Sequence, residues 1–186
     1  MTTEADEMYQ NAGEKGEPHR DPDDPPRRRA NQRRGHGSWD NDRPAIVGIA
    51  GRENQTLHLR VCRRTGRATL QPLVEAHTVP GCHVYTDEWR AYGRLGQTGR
   101  VHKTVNHASP EREWVRDDDG DGIREVHCNT LEGLWTGLRN YLRMFRGVHK
   151  KYLNQYAAVF EWTYRFRWAT DEALRMMVIP STPGTI

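Results

Sequence analysis

Cysteine is scarce in this chain. The three residues Cys62, Cys82 and Cys128 stand far apart with no Cys-x-x-Cys pair. That excludes a disulfide framework or a cysteine-only zinc ribbon, and it fits a reducing cytoplasm. Long apolar runs are missing too: nothing approaches the length of a membrane span, and MTTEADEMYQ lacks the basic and apolar blocks of a signal peptide. The sequence therefore predicts a soluble, unsecreted protein with no membrane partner. Excess charge of one sign is small, with 28 Lys and Arg against 25 Asp and Glu and a net charge of +3, which excludes a histone-like binder. No internal repeat is visible, and 186 residues hold one domain with its own core.

What is present is uneven. Basic residues gather at Arg27 to Arg34, at Arg60, Arg63, Arg64 and Arg67, and from Arg139 through Arg143 and Arg146 to Lys150 and Lys151. Such clusters suit phosphate contact, and equally suit an ordinary solvated face. Gly13 to Arg43 is rich in Gly, Pro and both charges with almost nothing to bury, so it reads as a long, disordered loop. TEADEMYQ before it is a first strand candidate, and AIVGIA and LHLRVC read as a hairpin. RATLQPLVEAHT reads as a helix with Pro72 in its first turn or bending it. CHVYTDEW follows as a strand ending at Thr86 or Asp87, EWRAYGRL as a short helix and VHKTV as another strand. Long helical patterns then run from Asn129 to about Arg146 and from Lys150 to about Met177. This order points to an α/β layer structure with a mixed sheet.

Two segments compete for the chemistry. Asp117, Asp119, Asp121 and Gly122 match the opening of a calcium loop, but the twelfth position, where a bidentate Glu belongs, is Cys128. A solvated acidic turn is the plainer account. The helix NTLEGLWTGLRNYLR puts Leu131, Leu134, Trp135, Leu138 and Leu142 on a core-facing stripe, and Glu132, Thr136, Arg139 and Arg143 along one polar edge. Asn129 followed by Glu132 also fits a capping box, and spacing alone favours the cap. Two further acids sit where sites form in such folds: Asp6 in the first strand, and Asp87 at the carboxyl end of HVYTD. Their plain alternatives are an edge-strand solvated acid for Asp6 and a turn or cap role for Asp87. His102, His107, His127 and Cys128 match no standard zinc spacing, and the aromatics of the last helix fit a core before a base-stacking platform.

Taken in order, ADEMYQNAGEKG, VYTDEWRAYGRL, HKTVNHASPEREWV and HCNTLEGLWTGLRNYLRMFRGVHKKYLNQYAAVFEWTYR resemble the catalytic core of bacterial insertion-sequence transposases with a DDE triad, in their ISXO-like branch. The likeness runs from about Ala5 to about Arg167. It implies an RNase H-like mixed sheet flanked by helices, with residues 1–12 as a clipped first strand, 13–43 as the loop, 44–177 as the rest of the core and 178–186 as a tail. It implies metal-dependent cleavage and strand transfer of DNA, at transposon ends and target, in the bacterial cytoplasm and at the nucleoid when bound. The triad maps onto Asp6, Asp87 and Glu132, holding two Mg²⁺ or Mn²⁺ ions, with Asn129 as an alternative or auxiliary ligand. Arg139 falls where such enzymes place a basic residue for the DNA backbone; Arg143, Lys150 and Lys151 extend that edge, and a homodimer on DNA is the family expectation. Against the pattern, Gln10 and Asn11 replace a Gly-Gly pair, and an N-terminal DNA-binding region is expected to be missing. A catalytically inactive DNA-binding remnant is therefore the alternative, and a calcium-binding module a distant third.

Overall fold

The segment AIVGIAG has no polar face to offer solvent, and β2 (Ala45–Gly51) is buried at every residue. A strand of that composition needs cover on both sides. The computed structural model, which describes residues 1–15, 36–107, 110 and 112–170, supplies it with a five-stranded mixed sheet between helical layers.

The strand order is β3-β2-β1-β4-β5. β1 (Thr2–Tyr9) lies antiparallel to β2 from Thr3↔Gly51 to Tyr9↔Ala45. β3 (Leu57–Cys62) completes the hairpin. β4 (His83–Asp87) runs parallel to β1, and β5 (Val101–Val105) parallel to β4. The first strand in sequence is thus the middle strand in space, so Asp6 does not lie on an edge strand.

One face of the sheet presents Met8, Ile46 and Ala50 to α2 (Asn129–Arg143) and α3 (Leu153–Arg165), meeting Leu131, Trp135, Leu138 and Leu153. The other face presents Ala5, Val47 and Ile49 to α1 (Arg67–Ala76) and to Tyr92 and Leu95. Leu131, Leu138 and Leu153 are fully buried, each worth about 1.5–3 kcal/mol relative to exposure. Gly48, opposite Asp6, lies where α2 crosses the sheet. A Cβ there would stand 2.5 Å from the Trp135 ring and 2.8 Å from Leu131 Cδ2, so only glycine lets the indole lie flat on the strand. The edge of β3 is not bare: Glu161 of α3 accepts from Leu59 N at 2.7 Å, and Asn154 from Val61 N at 3.2 Å.

Several boundaries differ from expectation. EWRAYGRL is not a helix but a run of turns, Tyr92 N to Trp89 O and Gly93 N to Arg90 O, ending in a 3₁₀ turn at Leu95–Thr98; burial of Tyr92, Ala91 and Leu95 against α1 outweighs helical propensity there. Pro72 sits inside α1 beyond its first turn. A short hairpin, β6 (Val115–Arg116) with β7 (Val126–His127), carries the acidic turn at its tip. The last helix ends at Arg165, short of the expected Met177, because the chain turns off at 166–168, where Arg167 N donates to Tyr164 O and Ala169 N to Phe166 O; a 3₁₀ turn at Lys150–Tyr152 precedes the helix. Of the loop expected over 13–43 to be disordered, the described ends are tied down instead, because Ala12 N donates to Asp42 O at 3.0 Å, Arg43 N to Ser38 O at 2.9 Å and Lys150 N to Gly13 O at 2.8 Å. Residues 16–35 and the tail at 178–186 lie outside the described residues.

Candidate active site

Alternation along β1 sends its acids to opposite faces. Glu4 and Asp6 face α2, where Trp135 Nε1 donates to Asp6 Oδ2 at 2.6 Å. Glu7 faces the other layer and accepts from the buried Tyr92 hydroxyl at 2.7 Å. The β1/β4 register is Thr2↔His83, Thr3↔Val84 and Glu4↔Tyr85. Carried two residues further along both strands, it sets Asp6 beside Asp87.

The electrostatics agree with that placement. Burial pushes the Asp6 carboxyl up to about 6 from 3.8; the indole N–H pulls it down, and the negative charges of Asp87 and Glu132 push it up again. Burial likewise takes Glu7 up to about 8 from 4.5, against the Tyr92 hydroxyl and with Asp87 and Asp6 adding to the rise. Asp6 thus feels both other predicted triad members.

Asp87 Oδ1 accepts from Trp89 N at 3.0 Å. The turn role proposed as its plain alternative therefore exists and uses one oxygen. For Glu132 the capping box is not formed. The helix N-cap is Cys128, with no side-chain cap bond, and Asn129 is already the first helical residue. Glu132 instead projects to the surface with 44% of its side chain exposed, 4.0 Å from His107 Nδ1.

Asp6, Glu132, Thr136 and Arg139 line one cleft of about 530 Å³, shared with Glu7, Trp135, His36 and Arg43. The polar edge read from helical spacing is therefore one wall of a real cavity. Asp87 is not part of its lining, and neither are Asn129 and Arg143. Among the described residues, Nε and Nη1 of Arg43 have no hydrogen-bond partner.

Lys150 is engaged elsewhere: its ammonium lies 3.0 Å from Asp42 and 3.2 Å from Glu14, with 11% of the side chain exposed. Its charge is spent inside the protein. Lys151, Arg143, Arg60, Arg63, Arg64 and Arg67 are exposed. The imagined zinc residues go to separate partners, His102 to Thr86, His107 to Glu132, and His127 to Arg52.

Among the described residues, the one set of three acids whose ligand atoms all fall within 4.8 Å of one another is Asp117, Asp119 and Asp121. Those carboxylates accept from the turn's own amides, Asp117 from Gly120 N and Gly122 N, Asp119 from Asp121 N, and Asp121 from Ile123 N. Cys128, at the twelfth position, is buried and offers such a turn no ligand.

Sequence reasoning missed Glu7, Glu4 and the second task of Trp135. The signal for Trp135 was available: an indole N–H on a buried stripe of leucines must find an acceptor.

Residues 2–166 match the model of the ISXO2-like transposase domain. The chain belongs to this family. An uncharacterized protein in transposable element ISH50 of Halobacterium salinarum is 30% identical over 177 residues, covering 94% of this chain and 56% of the relative. An uncharacterized transposase-like protein of Haemophilus influenzae is 26% identical over 97 residues, 52% of this chain and 71% of the relative. The chain thus spans little more than half of the Halobacterium relative's length. A cryo-EM structure of a simian T-cell lymphotropic virus intasome with the PP2A regulatory subunit B56 gamma aligns over 100% of this chain and 56% of that chain. Its TM-score is 0.49 and its identity 13%. No helix among the described residues is long and apolar enough to cross a membrane.

Proposed function

We propose that this transposase-family chain is a catalytic core that cleaves and rejoins DNA strands with divalent metal ions, using Asp6, Asp87 and Glu132. The observation that carries this is the meeting of the three acids at one place. The β1/β4 register carries Asp6 to the side of Asp87, and Asp6 and Glu132 line one cleft, where burial first, and then the charges of Asp87 and Glu132, hold the Asp6 carboxyl up. A fold gains no stability by collecting like charges. A site that collects them is built for a cation.

The donor set fits Mg²⁺ or Mn²⁺. Carboxylate oxygens from three different elements are hard ligands that leave room for water. The indole holds Oδ2 of Asp6 and the turn holds Oδ1 of Asp87, which leaves one oxygen of each for a metal. Asp6, Asp87 and Glu132 would hold the ions between them, each acid coming from a different element. Such ions, when bound, activate the attacking hydroxyl and stabilise the leaving oxygen. Glu132 rather than Asn129 is the third ligand, because Glu132 lines the cleft.

The protein's own groups do the rest. Trp135 fixes the Asp6 carboxylate, so the oxygen it would offer a metal is preset. Arg139 and Arg43, in the same cleft, offset the repulsion between DNA phosphates and the acids and hold the backbone. Arg143, one helical turn beyond Arg139, extends the track, and assembly as a dimer on DNA goes with this function.

The test is Mn²⁺-dependent nicking of a supercoiled plasmid by the wild-type chain beside Asp6→Asn, Asp87→Asn and Glu132→Gln. Nicking by wild type and loss in all three variants is the expected result. Binding of DNA without nicking, unaltered by the substitutions, would favour the inactive DNA-binding remnant instead.

A further inference from the structure

Glu4 is the most deeply buried acid of the described chain, with no exposed surface, and the chemistry proposed above does not use it. It lies two residues before Asp6 on the same strand face. Its Oε1 accepts from Arg52 Nε at 2.7 Å and from the Thr130 hydroxyl at 2.8 Å, and its Oε2 accepts from the Leu131 amide at 3.0 Å. Thr130 and Leu131 are in the first turn of α2, and the next residue is Glu132.

Arg52 is committed on every side. Nη1 donates to Glu125 O at 2.7 Å, Nη2 to His127 O at 2.7 Å and to His127 Nδ1 at 2.8 Å, and the guanidinium lies over the Tyr85 ring. His127 Nδ1 also accepts from the Asn129 amide at 3.2 Å. That nitrogen is therefore an acceptor, and its 3.3 Å approach to Glu4 is two acceptors converging on Arg52, not an ion pair.

The first turn of a helix leaves amides without partners. In α2 these are met from outside the helix, Asn129 N by His127 and Leu131 N by Glu4, while the N-cap residue contributes no side-chain bond. The sequence there, Asn129, Thr130 and Gly133, is weak in helix propensity, so the turn depends on these outside acceptors. A local Ser or Asp cap would satisfy the same amides, but it would not tie the helix to the sheet. A buried carboxylate is a costly way to cap a helix unless its fixed reach matters.

We infer that Glu4 is a positioning residue for the metal site: through Thr130 and Leu131 it sets where Glu132 stands relative to Asp6, with Arg52 holding the carboxylate in place and His127 holding Arg52. One strand face thus carries both a metal ligand and the clamp that places its partner. The inference rests on the metal site proposed above.

Glu4→Gln keeps the shape but sets an NH₂ against the donors of one carboxylate oxygen, either Arg52 and Thr130 or Leu131 N, and Thr130→Val removes one bond only. Three quantities are compared with wild type: amide exchange at Asn129 to Glu132 against Leu138, the Mn²⁺ concentration giving half-maximal nicking, and the rise in Tm on adding Mn²⁺. Glu4→Gln is expected to speed first-turn exchange while Leu138 stays protected. It should raise the half-saturating Mn²⁺ about tenfold or more, as loss of a ligand's support does, and shrink the Mn²⁺-induced rise in Tm. Thr130→Val should move all three in the same direction by less, and it decides the matter if Glu4→Gln does not fold. A lowered Tm with unchanged Mn²⁺ midpoints in both variants would overturn the positioning role and leave Glu4 as a stabilising cap. A wild-type chain with no Mn²⁺ response at all would overturn the metal site, and the positioning role with it, even if first-turn exchange loosened.

Discussion

Two groups of acids in this molecule obey opposite rules. Asp117, Asp119 and Asp121 converge tightly, lie at the surface and are satisfied by the amides of their own turn. Asp6, Asp87 and Glu132 come from two strands and a helix and converge less tightly, yet the charges of Asp87 and Glu132 add to the burial that already raises the Asp6 carboxyl. The Gly120 and Gly122 amides hold the Asp117 carboxyl below its ordinary range, whereas burial holds Asp6 above it. Close approach of carboxylates is cheap where water and backbone amides share the charge. It becomes informative where neither does.

Substitution should separate the two groups most sharply. Asp6→Asn, Asp87→Asn and Glu132→Gln are each expected to lower Mn²⁺-dependent nicking by about 3 kcal/mol or more of barrier, at least 100-fold. Asn at Asp117, Asp119 and Asp121 together should leave the rate within about threefold and stability within about 0.5 kcal/mol per site, as exposed positions do. Plasmid nicking and thermal melts read both.

Acidity separates them next. Asp6 and Glu7 keep their protons to higher pH in the fold than in the unfolded chain, their carboxyls moving from 3.8 to about 6 and from 4.5 to about 8. The stability they contribute is therefore complete below those ordinary values and is lost as pH rises through about 6 and then about 8. For Asp6 alone the loss is at most on the order of 3 kcal/mol, since its carboxylate faces the cleft. Asp117 and Asp118, held low by the Gly120 amide and by Arg116, act the other way: their contribution is present above the ordinary 3.8 and lost as pH falls below it. Urea melts between pH 4.5 and 8.5 without metal should show stability falling with pH, and Mn²⁺ should flatten the slope.

Smaller effects sharpen the account of how the cleft is held. Gly48→Ala forces a methyl against the Trp135 ring and is expected to cost about 1–3 kcal/mol in a denaturant melt, with activity reduced as the indole shifts. Trp135→Phe removes one hydrogen bond, worth about 1 kcal/mol, together with the ring atoms packed on Gly48, whose loss adds a cavity cost, and should raise the Asp6 carboxyl further because the indole N–H pulls it down. The acid limb of the pH–nicking profile would then move upward.

Much of the fold was legible because its signals are local. The period of α2 announced both its core stripe and its polar edge, and the apolar run of β2 announced one strand of a hairpin. Asp87 drew notice because strand ends in α/β sheets are where sites form, whereas the choice of Asp6 rested on the family resemblance. Long-range capping is not written in local spacing. Asn129 and Glu132 have the look of a capping box, but Glu4, more than a hundred residues away in sequence, takes the Leu131 amide and leaves Glu132 to the cleft. Lys150 looked like part of a basic track, and its burial with Asp42 and Glu14 is again a contact between distant segments. EWRAYGRL has fair helical residues, and the packing of Tyr92 and Leu95 against α1 decides otherwise.

The most direct test is the binding of Mn²⁺ itself, followed by its paramagnetic signal during titration of the wild-type chain, Asp6→Asn, Glu132→Gln and the Asp117/Asp119/Asp121 triple Asn variant. Binding that survives in the triple variant and is lost in Asp6→Asn and weakened in Glu132→Gln is the predicted result. Binding that is lost with the surface turn and untouched by Asp6→Asn would contradict the account.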